Sequence, residues 1–139
     1  MKLSLDVILK NKKSELVQVN KFIEKFSQLF NFSDKFTFNL NLVLEEIISN
    51  IFKYAYEEDE EKEVLINMKF TEKSLIIRIE DEGISFNPLN HEEPDTEMEL
   101  EEREIGGLGI HLVKNIIDKI DYSRVGQKNV LTLIKNFIH

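Results

Sequence analysis

Cysteine is absent from the 139 residues, so disulfides and thiolate metal sites are excluded, as suits a reducing compartment. No apolar run approaches the roughly 20 residues that a membrane-crossing helix needs. The start, Met1-Lys2-Leu3-Ser4-Leu5-Asp6, places an acid where a signal peptide requires an apolar core. These absences predict a soluble, cytoplasmic protein with no membrane partner. Positive charge is also scarce: 18 Lys and Arg face 26 Asp and Glu, a net charge of −8. A nucleic-acid partner is therefore disfavoured, because the phosphate backbone carries the same sign.

What is present is an ordinary globular balance, 42% hydrophobic and 32% charged, in a length that suits one domain spanning 1–139. Leu3, Leu5, Val7 and Leu9 alternate with Ser4, Asp6 and Ile8, the period of a strand. Leu16, Val19, Phe22, Ile23, Phe26, Leu29 and Phe30 then fall at helical spacing, with a break at Asn31-Phe32-Ser33. A second helix is predicted from about Lys35 to Tyr56, with Leu40, Val43, Leu44, Ile47, Ile48 and Ile51 as its apolar stripe. The run Glu57-Glu58-Asp59-Glu60-Glu61 is too polar to pack and reads as a loop. Val64 to Phe70 and Leu75 to Glu80 predict a hairpin. Residues of about 84–106 predict a long lid with little core. Leu108 to Ile120 predicts a third helix, with Leu112, Val113, Ile116, Ile117 and Ile120 inward. Tyr122 to Val125 and Val130 to Phe137 close the chain as strands around Gly126. This order predicts an α+β fold: a two-layer α/β sandwich with a mixed, mostly antiparallel sheet and three helices on one face.

Three short segments carry chemistry. Glu46 and Asn50 stand one above the other on the flank of the second helix's apolar stripe, while Glu45 falls on the solvent side. A carboxylate there can take a proton, and an amide oxygen can hold a hard cation such as Mg²⁺. A solvated Glu and a polar Asn at a helix boundary would look the same. Asp81 continues the inward row of Leu75, Ile77 and Ile79, where a carboxylate must find a partner or bear a desolvation cost. With Gly83 nearby it could accept a hydrogen bond from a purine amino group. A strand-closing Asp-x-Gly turn is the plainer account. Gly106-Gly107-Leu108-Gly109-Ile110 opens the third helix, where backbone N–H groups can converge on phosphate. A flexible hinge would read alike. The P-loop ending is missing and no strand precedes the glycines, which leaves those two phosphate motifs aside. His91, His111 and His139 have no metal-ligand spacing.

The order ExxxN on a helix, DxG after a hairpin strand and GGLG before the last helix resembles the nucleotide site of the GHKL superfamily, the ATP-binding domains of histidine kinases, heat-shock chaperones and gyrases. Within it, Asp81-Glu82-Gly83-Ile84-Ser85-Phe86-Asn87-Pro88 and the segment from Gly106 to Lys135 are similar to the anti-sigma-factor serine/threonine kinase branch. The resemblance covers about Asn39 to Phe137 and implies a Bergerat-type ATP-binding fold using ATP and Mg²⁺. It implies Glu46 as general base or water-orienting carboxylate and Asn50 as the sole protein ligand to Mg²⁺. Asp81 would bind the adenine amino group, with Gly83 and Phe86 alongside and Thr132 supporting from the last strand. Gly106, Gly107, Leu108, Gly109 and Ile110 would meet the phosphates, and Lys53 would help to screen their charge. Ser85 stands where this box usually has a second glycine, and Tyr54 where a histidine is frequent.

The implied function is a kinase of a bacterial partner-switching system that phosphorylates a STAS-type anti-sigma-factor antagonist, sequesters a sigma factor, or does both; a homodimer is the family expectation. An ATP-gated binding switch without turnover would present the same site. A histidine-kinase catalytic domain would normally follow a helical hairpin with a phospho-accepting histidine, which this sequence does not contain.

Overall fold

A computed structural model describes residues 2–10, 12–56, 62–89 and 108–137. The acidic run 57–61, most of the expected lid, Gly106, Gly107, His91 and His139 lie outside the described residues. Strand β1 (Lys2–Lys10) leads through a 3-10 turn (Lys13–Glu15) into α1 (Leu16–Phe30) and α2 (Asp34–Asn50). Then come β2 (Glu63–Thr71), β3 (Ser74–Asp81), α3 (Leu108–Ile116), β4 (Lys119–Val125) and β5 (Lys128–Asn136). The strands form one sheet in the order β1-β2-β3-β5-β4. Each of its four ladders is antiparallel rather than mixed. The connection through α3 brings the chain back so that β5, not β4, lands beside β3 and runs against it.

Local chemistry sets the helix boundaries. Asn31 takes the left-handed conformation at φ 60° and closes α1, a geometry that Asn tolerates better than most residues. Two residues on, the Ser33 side chain accepts the Phe36 N–H at 3.0 Å, an N-cap that starts α2. The expected stripe of α2, from Leu40 to Ile51, is buried along its whole length. The helix widens into a π-helical turn at Ile51–Ala55, directly after Asn50. Such turns are frequent at functional sites.

Period-two burial places the inward rows of the sheet under the helices: Val7 and Leu9, Val64 to Phe70, Leu75 to Ile79, and Leu131 with Leu133. At one end Phe70 stacks on Phe26 with ring centroids 3.9 Å apart, and Phe30, Phe32, Phe36 and Phe137 extend this aromatic floor. The opposite end of the same rows, at Asp81 and Asn129, is polar.

Two boundaries differ from the sequence pattern. The third helix stops at Ile116, and Lys119 and Ile120 belong to β4. Ile120 fits both a helical stripe and a strand alternation. The strand wins because the Asp118 N–H bonds to the Ile134 carbonyl at 2.8 Å and Ile120 pairs with Leu133. Leu29, expected in the core, is 48% exposed. Among the described residues no helix is long and apolar enough to cross a membrane.

Candidate nucleotide site

The polar end of the sheet is organised around Asp81, which is 3% exposed at the end of β3. Its Oδ1 accepts two hydrogen bonds, from the Gly83 N–H at 2.9 Å and from Asn129 Nδ2 at 2.8 Å. Its Oδ2 takes none from any described residue. Burial pushes the Asp81 carboxyl above its ordinary value; the Asn129 and Gly83 bonds and the nearby Arg124 charge pull the other way without cancelling it. A buried carboxylate with one oxygen saturated and the other unclaimed is an acceptor held ready for a donor.

Gly83 sits against the π turn. A side chain there would place its first carbon 2.3 Å from the Ala55 carbonyl oxygen, an overlap no neighbour could relieve because the obstacle is backbone. That close approach lets the Ile84 N–H donate to the same oxygen at 2.9 Å. Tyr56 continues the seam: its hydroxyl donates to the Glu63 carbonyl at 2.9 Å and accepts the Glu82 N–H at 3.3 Å.

Asn50 is 4% exposed, and its Nδ2 donates to the Pro88 carbonyl at 3.3 Å. Its Oδ1 has no donor among the described residues and fits a hard cation, which takes an amide oxygen as ligand. Glu46 lies one turn earlier on α2 and is half-buried. Lys53 is exposed on the π turn. Phe86 is half-buried, its ring 5.7 Å from that of Tyr54.

The structure departs from the expected site at several points. Residues 84–89, assigned by pattern to a loose lid, form a fixed wall: Ile84 is tied to Ala55, Phe86 to Asn129 and Pro88 to Asn50. Thr132 does not stand beside Asp81. It pairs with Arg78 in the ladder and lines a cleft on the outer face of the sheet with Arg78 and Glu80. Asn129 is the residue opposite Asp81. Parity would have found it, since Leu131 and Leu133 face the core and Asn129 continues their row. Glu45 is not simply solvated; α1 covers that side of α2, and Asn20 Nδ2 donates to Glu45 at 2.9 Å. Leu108, Gly109 and Ile110 form the first turn of α3. Among the described residues no group of three or more His, Cys, Asp or Glu gathers as a metal cluster.

The antiparallel sheet under three helices, with a buried Asp at a strand end and a buried Asn on the central helix, is the architecture of a kinase-type ATPase domain. The chain belongs to the histidine kinase-like ATPase domain family, whose model matches residues 9–135. It is 23% identical over 112 residues to the serine/threonine-protein kinase BtrW of Bordetella bronchiseptica, covering 81% of this chain and 79% of that one. It is 28% identical over 86 residues to the serine-protein kinase RsbW of Listeria monocytogenes, covering 59% of this chain but only 55% of the relative. A histidine kinase domain of a blue-light-activated kinase from Erythrobacter litoralis superposes with a TM-score of 0.54 at 12% identity over 88% of this chain and 59% of that one. The Acinetobacter baumannii histidine kinase AdeS gives 0.50 at 17% identity, over 97% of this chain and 68% of that one. At these identities the solved structures bear on the fold alone.

Proposed function

We propose that this chain is an ATP-binding regulatory protein kinase that transfers phosphate to a serine or threonine of a partner protein, in the manner of a partner-switching anti-sigma-factor kinase. The observation that carries the reading is Asp81, buried, with Oδ1 accepting two hydrogen bonds and Oδ2 without a donor among the described residues. An adenine amino group supplies the missing donor, and the ionised carboxylate makes that bond charge-assisted. Gly83, with no side chain to intervene, lets the purine ring lie against the backbone.

Asn50 would hold Mg²⁺ through Oδ1, its orientation fixed by the Nδ2 bond to Pro88. The cation, when bound, supplies neutralisation of phosphate charge. Glu46 stands one helical turn from Asn50 and would accept the proton of the attacking hydroxyl. Phe86 and Lys53 would flank the nucleotide. The glycines from Gly106 to Gly109, with Leu108 and Ile110, would face the phosphates at the start of α3. A STAS-type antagonist is the expected phosphate acceptor, a sigma factor the expected captive, and a homodimer the expected assembly in the cytoplasm.

Phosphate incorporation from labelled ATP into a STAS-type antagonist tests the reading. Transfer by the native protein and none by Glu46→Ala is the expected result. Equal transfer by both removes Glu46 from catalysis. ATP held stoichiometrically with no transfer to any antagonist assigns the chain to the non-catalytic, ATP-gated switch.

A further inference from the structure

Asn129 faces Asp81 directly across the β3–β5 ladder and is 2% exposed. Its side chain is used to capacity. Nδ2 donates to Asp81 Oδ1 at 2.8 Å and to the Ile84 carbonyl at 2.7 Å. Oδ1 accepts from the Phe86 N–H at 3.1 Å, the Tyr122 hydroxyl at 2.6 Å and Arg124 Nη1 at 3.2 Å. The direction of the amide is fixed by chemistry, since a backbone N–H can only donate and a carbonyl can only accept. Turning the amide over would set N–H against N–H at Phe86 and oxygen against oxygen at Ile84.

We propose that Asn129 is the positioning residue of Asp81: it holds the carboxylate by one oxygen, presents the other to the ligand side, and couples that orientation to the backbone of residues 83–86. The Gly83 N–H alone leaves the carboxylate free to pivot about a single bond. A second donor on the same oxygen fixes the plane of the group. Arg124 completes the coupling from β4, donating through Nη1 to the Gly83 carbonyl at 2.7 Å as well as to Asn129. One amide thus decides both where the acceptor points and where the wall beside it stands. A Ser or Thr hydroxyl in its place could donate to Asp81 but could not also bond Ile84. The ligand half of this inference rests on the nucleotide reading; the hold on Asp81 does not.

Side-chain carboxyl carbon NMR of the ligand-free protein reads that hold directly. In Asn129→Ala, Asp81 is expected to titrate at a higher pH than in the native protein, because a bond to its ionised form has gone. Asn129→Asp keeps the volume should the alanine variant fail to fold, and there Asp81 is expected to titrate as one of a coupled pair sharing a proton. An Asp81 midpoint unmoved in the folded variants overturns the proposal. In parallel, ATP affinity is measured by titration calorimetry, with an expected loss of about tenfold in Asn129→Ala. Native affinity in that variant also overturns the proposal. If the native protein itself binds no ATP, the nucleotide reading falls, and the NMR midpoints still decide the role of Asn129.

Discussion

Gly83 and Ala55 meet backbone to backbone, with the Ile84 N–H bonded to the Ala55 carbonyl at 2.9 Å and no room between them for a methyl group. Gly83→Ala therefore has to push residues 82–84 away from the π turn. The expected cost is about 1–3 kcal/mol of folding stability, accompanied by weaker nucleotide binding because the wall beside Asp81 moves. Denaturant unfolding and calorimetry of the variant measure the two effects. An unchanged unfolding midpoint would show that the seam is not as closed as its geometry implies.

Asp81→Asn separates stability from function. The folded state holds the Asp81 carboxyl above its ordinary value of 3.8, so between that value and the raised one the native state binds more protons than the unfolded state. Stability from this group is intact below the ordinary value and is lost as pH rises through the raised one. The Asn variant escapes that loss and can still accept both hydrogen bonds at Oδ1. Its melting temperature is expected to match or exceed that of the native protein at neutral pH, with the difference shrinking towards pH 4. ATP affinity should fall by about 1–3 kcal/mol as the charge-assisted bond disappears. Melting curves across pH together with calorimetry check the pair. A variant less stable at neutral pH would contradict the sign.

Asn50→Ala removes the oxygen assigned to the cation and the bond to Pro88. Tight ATP binding should lose its dependence on Mg²⁺, and stability should fall by about 1 kcal/mol. Titrations with and without a chelator read the first effect. A native protein that binds ATP equally well in both conditions would remove the cation from the site.

Phe70→Ala acts at the other end of the sheet. The ring is fully buried and stacked on Phe26 at 3.9 Å, so about 3–5 kcal/mol of stability should be lost. ATP affinity of the fraction that remains folded should not change, because this floor and the Asp81 cluster occupy opposite ends of the strands. A matching loss of affinity would mean that the two ends are coupled through the core.

The apolar periods made most of this fold legible. The stripe from Leu40 to Ile51 and the row from Leu75 to Asp81 are buried as their spacing demanded. Both report local geometry, which the sequence carries within a few turns. Asn129 was harder, because its meaning lies in a pairing with Asp81 across 48 positions and no local period encodes that register. The resemblance points to Thr132 instead, whose parity along β5 sends it to the other face. The end of α3 escaped for a related reason: Ile120 satisfies two periods, and only a bond formed with β5 decides between them. The likeness between chain segments and a known nucleotide box singled out Asp81 and Asn50, which are buried, but could not supply the hydrogen-bond partners that orient them.

The connection between β4 and β5 consists of Gly126 and Gln127 alone, with Gly126 at φ +62° and Val125 paired to Lys128. That register sets Arg124 across from Asn129. One added or deleted residue would slip β4 by a position and bring Ser123 or Val125 there instead, trading a guanidinium for a hydroxyl or an isopropyl group. The bend can change its residues during divergence, provided a left-handed first position survives, but it cannot change its length without unmaking the polar cluster. A two-residue hairpin at the sheet's edge is thus a ruler for a polar cluster whose buried carboxylate lies two strands away.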